Sequence, residues 1–239
     1  MIVDGINVVR ELLKASVKIE KVVAEDSDNL EIVALIDKAR AMGVPVSILE
    51  KKIYDKKFNF KNQGIVAYIP EFKYCEIDDI MLTAERRGEK PFIVILDGIT
   101  DPHNLGAIIR TCECAGVHGV IIPSNRACEV TDTVYRTSAG AVIHMRVAMV
   151  TNITRTIKDL QKQGVWVYAL EAGNKKLYNA DFTYPTALVV GSEGKGVSRL
   201  VMETVDEVLS LDMFGSVNSL NASNASAIAV YEVVRQRSK

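Results

Sequence analysis

An excess of charge of either sign is what this sequence most plainly lacks. Its 29 Lys+Arg are balanced by 30 Asp+Glu over 239 residues, so overall basicity cannot argue for a nucleic-acid partner. No apolar run approaches the roughly 18 residues that span a bilayer. The opening MIVDGINVVRELLK carries Asp4, Arg10 and Glu11 where a secretory signal needs an apolar core, so no membrane partner and a cytoplasmic location are expected. Cysteine is sparse. Cys75, Cys112, Cys114 and Cys128 contain no CxxC, and Cys112 and Cys114 would point about 200° apart on a helix. Neither a disulfide framework nor a zinc site is suggested, and the four read as buried thiols. His103, His118 and His144 are scattered without metal-ligand spacing or a Ser-His-Asp order, so no metal is expected and they read as core or loop residues. Repeats and low-complexity tracts are also missing. What is there is 48% apolar and 25% charged, a globular composition with enough chain for one or two domains of about 150 residues each.

Hydrophobic periodicity divides the chain into alternating helices and strands. Within residues 1–70 a helix capped by Asp4 (Ile6, Val9, Leu13) precedes the strand EKVVAE. A second helix (Ile32, Leu35, Ile36, Ala39, Met42), stopped by Gly43, precedes VPVSIL and GIVAYI. A polar connection follows at 71–76. The remainder, 77–239, opens with a short helix to Arg87 and the continuous apolar run FIVIL at 92–96, suited to a strand buried on both faces of a parallel sheet. Thereafter come a helix at 105–115, strands GVIIP and AVIHMRV around a short helix near 131–137, a helix at 153–163, strands VWVYAL, ALVVG and EVLSL, and a last helix from about Asn218 to Arg237. This alternation predicts an α/β fold with a mostly parallel sheet and a ligand site at the carboxyl ends of its strands.

Four segments could carry chemistry. DGITDPHNLGAIIR (97–110) runs from the buried strand into an apolar helix, with Asn104 placed as an N-cap and Arg110 among apolar neighbours. VVGSEGKGVSRL (189–200) is a strand ending in a glycine-rich loop, which lets backbone N–H groups approach an anion or nucleotide. It is not a Walker A loop, because Lys195 is followed by Gly196, and it lacks the third glycine of a dinucleotide fingerprint. Folding needs explain Glu193, an acid between two glycine positions, poorly. LDMFGSVNSLNASNASAIAVYEVVRQ (211–236) sets more Ser and Asn before a helix than one helix start requires. Its small residues Ala222, Ala225 and Ala229 suit close packing or a dimer interface. KKIYDKKFNFK (51–61) interleaves Lys51, Lys52, Lys56, Lys57 and Lys61 with Tyr54, Phe58 and Phe60. Lysines neutralise phosphates and exposed aromatics stack on unpaired bases; the alternative is a solvated face with its aromatics in the core.

In order, DPHNLGAIIRT, VVGSEGKGVSRL and SLNASNASAI resemble motifs 1, 2 and 3 of the SpoU/TrmH (SPOUT) RNA 2′-O-ribose methyltransferases. The N-terminal αβ unit is similar to the ribosomal-protein-like RNA-binding domain of the branch that methylates a guanosine of 23S rRNA. The resemblance implies a C-terminal trefoil knot, S-adenosylmethionine held at Gly191, Leu211 and Leu220, and a homodimer with 23S rRNA as partner. It makes Asn104 and Arg110 the motif 1 residues, Glu193 the motif 2 acid, and Ser219 and Asn221 the motif 3 polar pair, together the catalytic set. One departure stands out: Leu211-Asp212-Met213 replaces the usual Ile-Pro-Met, and Asp212 lacks proline's fixed φ, so a looser cofactor loop is expected. A further expectation is that the second domain folds, dimerises and binds cofactor without residues 1–70. Competing readings are a tRNA ribose methyltransferase, a non-catalytic RNA-binding module and a nucleotide hydrolase built on the glycine loop.

Overall fold

The computed structural model describes all residues except Ser16, Lys61 and Lys239, and leaves out the side chain of Asn174; the expected RNA contact Lys61 thus lies outside the described residues. Two compact units form, one from Met1–Lys73 with Val130–His144, the other from Tyr74–Glu129 with Met145–Lys239.

In the first unit the order is β1 (Ile2–Asp4), α1 (Ile6–Lys14), β2 (Lys21–Glu25), α2 (Leu30–Ala41), β3 (Val46–Leu49), α3 (Lys51–Lys57) and β4 (Ile65–Tyr68). The sheet runs β1-β4-β2-β3, with β2 and β3 parallel and the other pairs antiparallel. Helix α1 buries Val8, Val9, Leu12 and Leu13 at helical spacing. Asn29 caps α2 by accepting the Glu31 N–H at 2.9 Å. Asp4 does not cap α1. It ends β1, and Gly5, at φ +106°, makes the turn into the helix instead.

The second unit contains α4 (Ile77–Arg87), β5 (Phe92–Asp97), α5 (Pro102–Cys114) and β6 (Gly119–Pro123). After helix α6 (Asp132–Thr137), which belongs to the first unit, it continues with β7 (Val147–Val150), α7 (Ile153–Lys162), β8 (Trp166–Lys176), β9 (Thr186–Gly191), α8 (Arg199–Met202), β10 (Glu207–Ser210) and α9 (Ala222–Arg237). Its six strands are all parallel in the order β10-β8-β9-β5-β6-β7. Strands β5 and β9 are buried almost throughout, as the runs FIVIL and ALVVG require. From β5 the chain builds outward through β6 and β7, and it later inserts β9 on the other side of β5. The ends of β5 and β9 therefore form the switch point where ligands of open α/β sheets bind.

The expected strand AVIHMRV is mostly not a strand. Ala139 (φ +52°) and Gly140 (φ +88°) turn the chain into a 3₁₀ turn at Ala141–Ile143, and β7 begins only at Val147. Val130–His144, between β6 and β7, is part of the first unit. Arg136 Nε donates to both carboxylate oxygens of buried Asp4 at 2.9 and 3.0 Å, and His144 meets Glu11 at 3.0 Å. Tyr135 sets its ring edge-on to Phe72. The thiols are likewise not all buried: Cys112 is, Cys75 and Cys128 are partly so, and Cys114 is exposed.

His118, just before β6, is buried. Its Nδ1 accepts the Phe92 N–H at 2.9 Å, which leaves the proton on Nε2 to be donated to Glu89 Oε2, also at 2.9 Å. Burial lowers its pKa, outweighing the opposing pull of Glu89, while Arg87 and Arg237 add to the lowering. A depressed folded pKa means that the unfolded chain binds the proton first as pH falls. The stability that His118 contributes is thus complete above its ordinary pKa of about 6.5 and lost as pH falls toward the folded value. Thermal melts from pH 8 to 5 should show this loss. His118→Asn, which keeps an acceptor for the Phe92 N–H, should flatten the profile over that window; an unchanged slope would refute the assignment.

Candidate active site

Motif 1 begins where β5 ends. Asp101, not Asn104, caps α5 by accepting the His103 N–H at 2.9 Å, and Pro102 occupies the first helical position. Asn104 is thereby displaced into the first turn, where it is buried and its amide is free for other partners. That amide donates to Glu193 Oε1 at 2.7 Å. Glu193 lies in the loop after β9, where Ser192 and Gly196 exchange backbone hydrogen bonds of 3.1 and 2.9 Å and Gly194 (φ +79°) makes the turn. Gly191 admits no side chain, since a Cβ there would fall on the backbone of Gly196 and Val197. Its place in the motif is fixed by how closely the loop folds back over it.

Motif 3 completes the junction. The Asn221 amide donates to Glu193 Oε1 and, at 3.2 Å, to Asn104 Oδ1. Its own Oδ1 caps α9 by accepting the Ser223 N–H at 2.8 Å. Capping and site-building are thus one role for Asn221, and α9 starts at Ala222 rather than near Asn218. Segments 28 to 117 residues apart in sequence meet on one carboxylate oxygen, held by two primary amides. Charge-assisted hydrogen bonds of this kind are among the stronger ones.

Arg110 is not part of that junction. Six residues after Asn104 on α5, it emerges about 240° around the helix, exposed, and it makes no hydrogen bond or ion pair among the described residues. Ser219 is exposed likewise. Leu211 is half-buried and Leu220 exposed. Among the described residues no backbone–backbone hydrogen bond involves Asp212–Leu220, and Met213, Phe214, Val217 and Leu220 expose apolar side chains along it. Free amide edges beside apolar surface are what an adenine ring takes, so this run fits a nucleoside cofactor. Lys176 at the end of β8 pairs with Asp212 at 2.6 Å, a surface ion pair where the resemblance expects proline. No group of three or more His, Cys, Asp or Glu among the described residues could hold a metal ion.

Lys51–Lys57 of the basic aromatic segment form helix α3, with Phe58 at its C-cap, and helical spacing divides the candidates. Tyr54 and Phe58, four residues apart, are buried with Val23 and Val66, so Phe58 is a core residue and cannot stack on a base. Phe60 is exposed, as are Lys51, Lys52, Lys56 and Lys57; Lys51 faces Glu25 at 3.5 Å, and Lys57 lies over the Phe58 ring. If the lysines touch RNA phosphates, replacing Lys52, Lys56 and Lys57 by Gln lowers the slope of log affinity against log salt by about 2. Phe60→Ala should cost about 1–3 kcal/mol of RNA binding, whereas Phe58→Ala should cost about 3–5 kcal/mol of folding stability. Titrations at several salt concentrations beside thermal melts check both.

A parallel sheet with three loop motifs converging at its switch point defines an α/β protein of the nucleotide-binding kind. Within that class the chain belongs to the SpoU rRNA Methylase family, whose profile matches residues 91–231; residues 2–75 match the RNA 2′-O ribose methyltransferase substrate binding family. It is 41% identical over 237 residues to YacO of Bacillus subtilis (strain 168), a protein named for the TrmH family of tRNA/rRNA methyltransferases, covering 98% of this chain and 95% of that one. It is 37% identical over 243 residues to the 23S rRNA (guanosine-2′-O-)-methyltransferase RlmB of Shewanella oneidensis, covering 99% and 97%. Among solved structures it resembles an AdoMet-bound rRNA methyltransferase from Sinorhizobium meliloti, with a TM-score of 0.78 at 25% identity over 98% of this chain and 86% of the other.

Proposed function

We propose that this protein methylates the ribose 2′-hydroxyl of a guanosine in 23S rRNA, using S-adenosylmethionine. The observation that carries the reading is the meeting of Asn104, Glu193 and Asn221 on one carboxylate, because it assembles the three motif loops at the switch point. The choice of 23S rRNA is supported by full-length likeness to the Shewanella protein. Gly191, Leu211 and Leu220 hold the cofactor, which when bound supplies an electrophilic methyl group. The chain itself supplies position and charge. Among the described residues Arg110 has every guanidinium donor free, and it orients the 2′-oxygen and stabilises the negative charge that develops there. It is not the base, since a guanidinium offers only N–H donors and no lone pair to take the proton. Glu193, Asn104, Asn221 and Ser219 position the nucleotide and the cofactor loop. A trefoil knot belongs to this reading, as does a cytoplasmic location; no helix among the described residues is long and apolar enough to cross a membrane.

A homodimer belongs to it too, supported by the apolar surface that Ile228 and Tyr231 of α9 leave exposed, together with Phe214 and Val217 of the preceding loop. Sedimentation should give twice the chain mass. The decisive test maps ribose methylation across total RNA from cells with and without the gene. Loss at one guanosine of 23S rRNA is expected. Loss at a tRNA nucleotide instead would move the substrate, and no loss anywhere would leave an RNA-binding module.

A further inference from the structure

Glu171 plays no part in the three motifs, yet it lies against the second. Strand β8 pairs with β10 at Tyr168 and Ala169 and then again only at Lys175 and Lys176, so Leu170–Asn174 leaves that ladder. Leu170 still pairs with Val190 of β9. The excursion carries Glu171, the next residue, to the root of the glycine loop. There its Oε2 accepts the Val197 N–H at 3.0 Å and its Oε1 accepts the Ala172 N–H at 3.1 Å. On the other side, Asp97 at the end of β5 accepts the Ser198 N–H at 2.7 Å. Two carboxylates from the strands flanking β9 therefore take successive backbone N–H groups at the point where the loop turns toward α8. Gly196 bears the mark of this contact. It has φ +65°, and a Cβ there would fall on Glu171 Oε2. The positive φ is what calls for glycine after Lys195, and with no side chain there the Glu171 carboxylate can come up against the backbone.

We propose that Glu171, with Asp97 as its counterpart, is a positioning residue that clamps the Ser192–Ser198 loop shut over Gly191 and so sets the cofactor-binding form of the site. This rests on the methyltransferase reading. Held at its root by two carboxylates and at its tip by the amides on Glu193, the loop has one conformation in which Gly191 lies beneath the Gly196–Val197 peptide. Removing the root contact frees an N–H pair and lets the loop lift while the tip contact remains.

The test uses the full chain and three variants, Glu171→Ala, Glu171→Gln and Asp97→Asn, with S-adenosylhomocysteine as the calorimetric probe. Glu171→Ala should weaken its binding about tenfold, the scale of one lost charge-assisted hydrogen bond. KM for S-adenosylmethionine should rise with it, while kcat at saturation and KM for RNA stay within a few-fold. Amide exchange at Val197 and Ser198 should speed up, a readout that needs no cofactor. Glu171→Gln, which keeps an acceptor for Val197, should restore affinity to within about threefold. Unchanged affinity and unchanged exchange in folded Glu171→Ala would overturn the proposal, as would equal losses in KM for both substrates. Should Glu171→Ala not fold, Asp97→Asn, which keeps one oxygen acceptor, and Glu171→Gln must both retain slow exchange at Ser198 and Val197, and fast exchange in either refutes the clamp. Should the wild type bind no S-adenosylhomocysteine, the functional reading fails, while the exchange arm still decides the clamp.

Discussion

Replacing Arg110 by Ala should lower methyl transfer about 10²–10³-fold, the usual cost of one group that stabilises developing negative charge. Cofactor affinity should stay within a few-fold, because the loops assigned to the cofactor follow β9 and β10 while Arg110 lies on α5. The structure removes the usual objection to such an experiment. Arg110 is exposed and makes no hydrogen bond or ion pair among the described residues, so its truncation should change stability by no more than about 0.5 kcal/mol. Single-turnover transfer to rRNA, calorimetry with S-adenosylhomocysteine and a thermal melt measure the three quantities separately. Loss of cofactor binding in a folded Arg110→Ala protein would contradict the role given to it.

The second large effect reverses an expectation from sequence. A fragment of residues 74–239 should not be the sturdy domain that the polar connection suggests. It keeps Val130–His144 but loses what that segment packs on. Val134, Tyr135 and Val142 are buried, and at about 1.5–3 kcal/mol for each large apolar side chain returned to water the segment loses what keeps it folded once Met1–Lys73 is gone. Arg136 loses Asp4 as well. The fragment should be cut by protease within 130–144 under conditions that spare the full chain. Equal protease resistance would show that the segment finds other cover.

The α/β alternation and the switch-point loops were legible because buried parallel strands announce themselves as apolar runs, FIVIL and ALVVG among them. Misreadings arose where one residue type serves two purposes. Asn104 and Asp101 are both good caps; Pro102, suited to the first helical position, singles out Asp101, and Asn104 is then available to Glu193. Lys and aromatic residues interleaved at 51–61 suggested a surface for bases, but Tyr54 and Phe58 stand at helical spacing and turn inward together. Other features had no local signal. The place of Glu171 depends on a register shift against β10, some 35 residues on, and the partner of Asp4 is Arg136, 132 residues away. Such pairings are properties of the closed fold and leave no trace in any window of sequence.

That long separation also bears on the order of events during synthesis. The first unit ends its main segment at Lys73 but is complete only when His144 has been made, 71 residues later. At about 5–20 residues per second, translation takes roughly 4–14 s to cover that stretch. Throughout the interval the sheet of the nascent N-terminal unit waits with the Asp4 carboxylate unpaired, while β5, α5 and β6 of the other unit emerge ahead of the missing piece. Ribosome-bound chains halted before Asp132 should therefore hold a loosened N-terminal unit that tightens abruptly once α6 and the 3₁₀ turn are free to dock.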